Sequence, residues 1–449
     1  MEWGLPQRTD TIARRGCRRS NRTHSSGKKT LLALTLGMSA TCWMASAQAQ
    51  GPGADVSLSE RLRLTGDWNG LRSDWADRGI EIDLAHTGDV IAVTDGGEAR
   101  STYFSGLVEA GVSIDAEQLF GWSSTQIFVL GIGTFGRDPG DGAGSAHAPS
   151  NLANVETAKL LEAWVERSFF DDRLAILGGL YGADAEFDVK ETAGVFINGG
   201  FGTGLDLSET GLNGPCVYPT TCLGLRARFQ ATDAHYVQAA VLDGVAGDPD
   251  DPKGTQIILG GDDGLLFLAE AGFQQSADEG RFVRAALGAW HYTTDFDDLL
   301  ATDSQGEPRR RQGTQGVYGL VEGALYTEPG QLTQGLSGFL RLGLADEDVN
   351  QFGYYAGGGL VYTGPFPGRD EDVLGLGVSA AFNGDSFETA QEAAGAPVES
   401  REIAFELTYW IPVLPWLSVQ FDAQYIKNPS TDPMLDDATL VGLRYQVTF

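Results

Sequence analysis

The carboxyl-terminal residues of this 449-residue chain, LVGLRYQVTF, place an apolar side chain at every second position from Val441 to Phe449. A period of two puts all of these side chains on one face of a β-strand and leaves the other face polar. In a transmembrane β-barrel the apolar face contacts lipid and the polar face lines the lumen. We therefore expect this strand to close a barrel against a strand near residue 80.

Runs with the same period recur along the chain, and they predict sixteen strands. They span residues 80–93, 103–116, 122–134, 158–170, 172–183, 220–232, 234–243, 264–275, 280–293, 314–327, 336–345, 353–362, 372–383, 400–411, 415–426 and 437–449. Short connections alternate with long ones, which are 135–157, 184–219, 244–263, 294–313 and 384–399. An even strand count with alternating short turns and long loops is typical of outer-membrane barrels. The fold class that we expect is all-β: a transmembrane antiparallel β-barrel of about 16 strands.

Residues 1–49 are predicted to be a secretory signal peptide rather than part of the barrel. A basic stretch precedes the short apolar run Leu31 to Met44, and small residues follow it. This order is typical of a cleaved leader, with cleavage near Ala47 or Ala49. Export followed by insertion into the outer membrane of a Gram-negative cell is the localisation that these features predict.

The segment 50–79 lies between this leader and the predicted barrel, 80–449. We expect a short amphipathic helix within 58–79, because Asp67 can cap a helix and Gly79 suits a left-handed stop. Packing beneath the barrel mouth or over the first strand is the role that we expect for it.

Charge and cysteine content narrow the partners and the compartment. The formal net charge is −30, which argues against nucleic acid as a partner because phosphate binding needs a basic surface. Beyond the leader, Cys216 and Cys222 remain in the sequence PCVYPTTC. An even pair in an exported chain, with prolines beside it, predicts a small loop disulfide, whereas two free thiols are the alternative.

If the strand phases hold, acids, arginines and aromatic rings share the water-facing side of the barrel. Carboxylates accept hydrogen bonds from sugar hydroxyls, guanidinium groups donate, and rings stack on the apolar face of a sugar. The pore-lining residues that we single out as substrate-contact candidates are Glu109, Glu162, Trp164, Glu166, Arg226, Arg228, Glu322, Arg341, Glu406 and Trp410. Further lumen-facing positions are Glu270, Glu402, Asp422, Arg284, Arg444, Tyr103, Tyr236, Trp290 and Tyr318. The alternative is a polar lining that keeps the lumen wet and binds nothing.

Two features predict a narrow neck. Arg226 and Arg228 share a strand face and would repel each other unless acids face them. The glycine-rich connection 184–219 is the candidate constriction loop, with Phe196, Asn198 and Phe201 as its candidate constricting residues. The alternative for this loop is an external lid that never enters the lumen.

The acid cluster in LDGVAGDPDDP, from Asp243 to Asp251, has the residue types of a Ca²⁺ loop. Its spacing matches no EF-hand, and DG and DP pairs form turns, so we favour a turn over a cation site. We therefore expect no metal and no cofactor.

Six blocks of the sequence resemble, in order, the carbohydrate-selective porin family of Gram-negative outer membranes. They are LTGDWNGLRSDWADRGIEIDL (64–84), EAWVERSFFDDRLAILGGLYGADAEF (162–187), GVFINGGFGTG (194–204), LGLRARFQ (223–230), AAVLDGVAGDP (239–249) and ELTYWIPVLPWLSVQFDAQYIKNPS (406–430). The resemblance implies a sixteen-stranded barrel that passes small sugars into the periplasm by passive diffusion. The partners that we expect are small sugars, outer-membrane lipid and lipopolysaccharide, and the barrel-assembly machinery through Phe449. An oligomer stays open.

Other classes of barrel fit the sequence less well. A general diffusion porin is the nearest alternative. A barrel enzyme is disfavoured, because His86, His147, His235 and His291 fall in no recognisable Ser, His and acid pattern, and no GxSxG, HExxH or P-loop occurs. A plugged receptor would need a plug domain before the barrel, and an adhesive barrel would not need ionic and aromatic residues inside. We therefore expect no catalytic residues.

Overall fold

The computed structural model describes residues 57–152, 155–275, 282–331 and 333–449. The predicted leader lies outside this range. Sixteen strands form one closed barrel in which each strand pairs with its neighbours in sequence, all antiparallel. They are β1 Ile80–Asp95, β2 Thr102–Asp115, β3 Thr125–Gly136, β4 Thr157–Phe169, β5 Leu174–Tyr181, β6 Cys222–Gln230, β7 His235–Asp243, β8 Leu265–Gln275, β9 Val283–Thr302, β10 Pro308–Thr327, β11 Gly335–Ala345, β12 Phe352–Thr363, β13 Val373–Asn383, β14 Arg401–Leu414, β15 Leu417–Lys427 and β16 Ala438–Thr448.

The barrel closes where the alternation of the last strand indicated. β1 pairs with β16, with Gly88 opposite Tyr445 and Ala92 opposite Val441. A Cβ on Gly88 would lie 2.6 Å from the Tyr445 ring, so glycine leaves the space that the ring occupies. The predicted fold class and strand count are confirmed.

One predicted connection is wrong. Residues 294–313 were expected to form a long loop, but β9 continues to Thr302 and β10 begins at Pro308. The two-residue period persists there, since Thr294, Phe296 and Asp298 are buried while the side chains between them are less so. Acidic residues replace apolar ones at the outward positions 295 and 297, and this hides the strand from a hydropathy argument. Arg311 of β10 closes the extension by pairing with Asp298 at 2.6 Å.

Helices are short in this structure. The predicted N-terminal helix is limited to a 3-10 turn at Trp68–Gly70 and α1 at Leu71–Ala76. The other α-helices are α2 Ala116–Phe120, α3 Gly140–Ala143, α4 Leu205–Ser208 and α5 Asp385–Ala393. Asp67 accepts hydrogen bonds from the backbone N–H and the hydroxyl of Ser73. Among the described residues, no helix has the length and apolar character that a membrane crossing requires.

The two faces of the barrel wall differ in chemistry as the alternation predicts. Outward side chains are large, apolar and exposed, such as Leu287 at 73% and Phe421 at 53% exposure. Inward side chains are polar, yet many are buried, including Glu322 and Glu406. Burial of charged groups inside a wide barrel requires that something else fills the lumen, and two connecting loops do so.

Candidate functional site

The 182–221 loop between β5 and β6 folds into the lumen and is held there by carboxylates of the barrel wall. Glu322 of β10 accepts hydrogen bonds from the backbone N–H groups of Glu191 and Thr192, at 3.0 and 2.7 Å. Four strands further around the wall, Glu406 of β14 accepts from Ile197 at 2.7 Å and from Asn198 at 2.9 Å. These carboxylates therefore tie consecutive stretches of the loop to two separate strands of the barrel.

Ion pairs fix the middle of the same loop. Arg341 of β11 pairs with Asp188 at 3.0 Å and with Asp206, so one guanidinium joins two loop carboxylates. Lys190 donates to the Asp188 carboxylate at 2.9 Å and to the Gly202 carbonyl at 2.7 Å. Burial by itself would raise the pKa of Asp188, but Arg341 and Lys190 outweigh it and hold this pKa below its ordinary value. The acids of the loop are thus balanced by one arginine of the wall and one lysine of the loop.

The three predicted constriction residues all lie on the inward part of this loop. Phe196 and Phe201 stack with ring centroids 4.4 Å apart, and both contact Phe339 of β11. The Asn198 amide donates to the Gln424 side chain of β15 at 3.0 Å. The two rings therefore pack the loop against β11, while Asn198 links it to β15.

The described part of a second loop, the 137–156 loop between β3 and β4, also enters the barrel, which the sequence pattern did not predict. Ser150 donates to Asp89 of β1 at 2.7 Å, and Asn151 accepts from Arg444 of β16 at 2.7 Å. The backbone N–H of Asn151 donates to the Ile197 carbonyl at 2.8 Å, so the two inward loops also bind each other. The residues of the 137–156 loop are small and polar, as in an ordinary surface loop, so their types do not indicate that the loop enters the lumen.

Of the two neighbouring arginines of β6, Arg226 is paired with acids and Arg228 is not. Arg226 donates to Glu166 of β4 at 2.5 Å and to Glu186 of the 182–221 loop. Arg228 lies over the Tyr236 ring with its guanidinium carbon 4.0 Å from the centroid. Arg226 is 1% exposed and fully engaged, whereas Arg228 keeps a partly open guanidinium.

A further cluster forms around Glu270 of β8. Its carboxylate accepts from the hydroxyls of Tyr236 and Tyr318, at 2.8 and 2.6 Å, and from the backbone N–H of Asp188 at 3.1 Å. Arg284 lies 3.5 Å away. This cluster is another anchor of the 182–221 loop.

The remaining predicted lining residues do not join one site. Trp164 donates from its indole N–H to Glu162 at 2.8 Å within β4. Glu109 on β2 is half-buried, and Trp410 on β14 lies close to the short turn before β15. These side chains face the lumen at separate places along the wall.

The cysteine pair and the aspartate cluster have local roles. Cys216 and Cys222 form a disulfide that joins the end of the 182–221 loop to β6. In the aspartate cluster, Asp248 accepts from the backbone N–H of Asp250 at 2.9 Å, and Asp251 accepts from Lys253 at 3.1 Å. Such bonds are those of turns. Among the described residues, no three His, Cys, Asp or Glu side chains are grouped to hold a metal ion.

A cavity of about 340 Å³ lies between the two inward loops. Phe196, Phe201 and Tyr218 supply aromatic lining, and polar lining comes from side chains that include Asn151, Asp184, Ser208 and Glu209. This mixture of rings, carboxylates, amide and hydroxyl groups matches the groups that a sugar presents.

Two carboxyl groups of this cavity are only partly engaged. Asp184 has one oxygen without a hydrogen-bond partner among the described residues, and the other accepts from the backbone N–H of Tyr218 at 3.1 Å. Burial raises the pKa of the Asp184 carboxyl to about 6. Glu209 lines the cavity and its side chain is exposed there. The protein around its carboxyl group still removes part of the surrounding water and raises its pKa, against the opposing influence of His147. Neither residue could be singled out from the sequence, because both lie in a loop without a repeating pattern.

Comparisons with known proteins agree with this architecture. A model of the family described as "Carbohydrate-selective porin, OprB family" matches residues 101–449. Porin B of Pseudomonas aeruginosa strain PAO1 is 24% identical over 417 residues, which cover 86% of this chain and 91% of that protein.

Solved structures of Pseudomonas putida OprB show a similar fold. The high-pH structure aligns with a TM-score of 0.80 and 23% identity, covering 88% of this chain and 100% of that one. The low-pH structure aligns with a TM-score of 0.55 and 20% identity, covering 87% of this chain and 99% of that one.

Proposed function

The chain belongs to the carbohydrate-selective porin, OprB family, and we propose that the cavity between its two inward loops is where a passing sugar is held. Family membership makes the protein an outer-membrane porin for sugars, a channel rather than an enzyme. The proposal concerns the place and the residues of sugar contact.

The chemistry of the cavity supports this assignment. Its volume of about 340 Å³ is in the range of small-ligand pockets and suits a sugar of one or two rings. The exposed Glu209 carboxylate can accept from sugar hydroxyl groups, Ser208 can donate or accept, and Asp184 adds a further carboxylate to the lining. The Tyr218 ring offers a stacking face. The observation that carries the proposal is this combination in a space bounded by both loops.

The predicted lining residues divide into two groups under this proposal. Glu166, Arg226, Glu322, Arg341 and Glu406 are committed to holding the 182–221 loop, so we assign them the role of fixing the aperture. Glu109, Glu162, Trp164, Arg228 and Trp410 remain on the wall as candidate contacts along the rest of the path.

Liposome swelling with purified protein tests the assignment. Mono- and disaccharides should enter faster than an amino acid of similar size. Glu209→Gln should lower the preference for sugars by about tenfold, the lower end of the about 1.5–3 kcal/mol that a bond to a charged acceptor contributes, because the amide oxygen still accepts. The matched control is Glu392→Gln, an exposed acid on α5 that should leave the rates unchanged. Equal entry of sugars and amino acids would indicate a general diffusion porin, and an unchanged preference in Glu209→Gln would remove the cavity from the sugar path.

We extend the proposal to the cellular context. Residues 1–49 are removed on export, near Ala47 or Ala49; mass spectrometry of the purified protein would give the new amino terminus. Lipid and lipopolysaccharide surround the apolar wall. Phe449 is the residue that the barrel-assembly machinery binds, so Phe449→Ser should reduce membrane insertion. We propose no catalytic activity, and chemical crosslinking in the membrane would show whether barrels associate.

A further inference from the structure

A chain of hydrogen bonds runs from the barrel wall to both inward loops through groups that are fully buried. His147 of the 137–156 loop contacts Glu402 of β14 through Nδ1 at 2.6 Å and Ser379 of β13 through Nε2 at 2.8 Å. Ser379 Oγ lies 2.9 Å from the Tyr355 hydroxyl of β12. That hydroxyl lies 2.5 Å from the carbonyl oxygen of Gly200 in the 182–221 loop. One relay therefore joins two loops and three adjacent strands.

The positions of the protons in this relay follow from its fixed end. A carbonyl oxygen only accepts, so the Tyr355 proton must lie toward Gly200. The Ser379 proton is then required between Ser379 and Tyr355, since Tyr355 has no second proton to donate. It follows that His147 must donate from Nε2 to Ser379.

The other ring nitrogen is also a donor. Glu402 accepts from the backbone N–H groups of Ala146 at 2.9 Å, of His147 at 2.6 Å, and of Ser430. Together with His147 Nδ1 these groups occupy both oxygens of Glu402, and a carboxylate that only accepts satisfies all four contacts. In that arrangement His147 Nδ1 carries a proton as well. The relay is complete only when the imidazole holds both protons.

Charged neighbours surround this relay on several elements. Glu402 of β14 pairs with the ring, and Glu209 of the 182–221 loop interacts with it electrostatically. At the far end, Arg341 of β11 lies 4.9 Å from the Tyr355 ring centroid, balanced by Asp188 and Asp206. The charged groups nearest to the His147 ring are therefore two carboxylates, whereas Arg341 lies at the far end of the relay.

We propose that His147 is a positioning residue for sugar passage, which as an imidazolium locks both inward loops to the wall and so fixes the cavity between them. The inference rests on the proposed function of that cavity. The Ser379, His147 and Glu402 arrangement has the order of a hydrolase triad, but none of the three side chains is exposed to any substrate. Its role is structural support of the aperture.

Loss of one proton from His147 interrupts the relay at a single place. Either Nε2 no longer donates to Ser379 or Nδ1 no longer donates to Glu402. In both cases two buried acceptor atoms then face each other without a proton between them, and their lone pairs repel. The space is tight, since a Cβ on Gly200 would lie 2.4 Å from His147 Cδ2 and 2.8 Å from Ser379 Oγ. The loops cannot relax in place, so deprotonation favours a loosened arrangement.

The protonation state is measured directly by nitrogen NMR of the wild-type protein labelled with ¹⁵N-histidine, in detergent at neutral pH. We expect one ring with both nitrogens protonated, assigned to His147 by its loss in His147→Gln and by its shift in Ser379→Ala. A His147 ring with one bare nitrogen would overturn the proposal. This result is independent of whether sugar passes.

The functional consequence is measured in planar bilayers across a series of pH values. Loss of the charge-assisted bond should raise the frequency of current fluctuations at alkaline pH by about tenfold. His147→Gln should show the high level at every pH, and His291→Gln, on the exposed outer face of β9, should behave as wild type. If His147→Gln keeps the pH profile of the wild type, the positioning role is overturned. If the wild-type protein itself shows no preference for sugars, only the proposed function is overturned.

Discussion

Replacing Glu322 by Gln isolates one anchor of the inward loop without changing its size. The two Glu322 oxygens accept from the adjacent backbone N–H groups of Glu191 and Thr192. The amide keeps one acceptor and turns an NH₂ group toward the other N–H. One bond to a charged acceptor is lost and a buried donor is left unpaired, which costs about 2 kcal/mol or more. The fraction of molecules with this part of the loop released should therefore rise by about 30-fold.

Hydrogen exchange of detergent-solubilised protein measures that fraction, because amides exchange when their local structure opens. Peptides that cover residues 189–196 should exchange about 30-fold faster in Glu322→Gln, while barrel strands keep their protection. Glu371→Gln, an exposed acid in the turn between β12 and β13, is the matched control. Exchange of these peptides within about twofold of wild type would refute the view that Glu322 holds the loop.

Two further substitutions test charge at other points of the lumen. Arg226→Met leaves the buried Glu186 and the half-buried Glu166 without their partner and should destabilise the barrel by about 3–5 kcal/mol. The loss would be measured as a lower temperature of heat modification on a gel, and Arg228→Met should cost much less. The pKa of Asp184 is raised to about 6, so acidification through that pH should add a proton and remove one negative charge from the cavity, a change that favours the folded state as pH falls. The cation preference, measured as a reversal potential in a salt gradient, should drop near this pH in wild type and stay low at every pH in Asp184→Asn. If the variant still shows a drop near pH 6, the change in selectivity belongs to another group.

The barrel could be predicted from the sequence because its signal is local. Each strand shows a period of two by itself, and the pairing of consecutive strands leaves few arrangements. The extension of β9 to Thr302 escaped because outward residues there are acidic, and hydropathy cannot separate a strand that projects from the membrane from a loop.

The site could be predicted only in part, because the partners of loops are not local. Alternation placed Glu322 and Glu406 on the inner face, yet nothing in sequence indicates that they accept from the backbone of residues 191–198. His147 appeared as a single histidine in a long connection. Its importance comes from Glu402 and Ser379, which are more than two hundred residues away.

The acidic lining of this porin has a physical cause beyond sugar recognition. A loop without regular secondary structure that enters a crowded lumen brings backbone N–H groups that no ladder satisfies. Wall carboxylates accept them in pairs, at Glu322, Glu406 and Glu402, and arginines such as Arg341 balance the loop's own acids. Because these carboxylates contact backbone, loop side chains outside the ion pairs of Arg341 and the ring contacts of Phe339 can change while the fold of the loop persists. The cavity lining can therefore be altered by substitution on a constant barrel, provided that these carboxylates and ion pairs are kept.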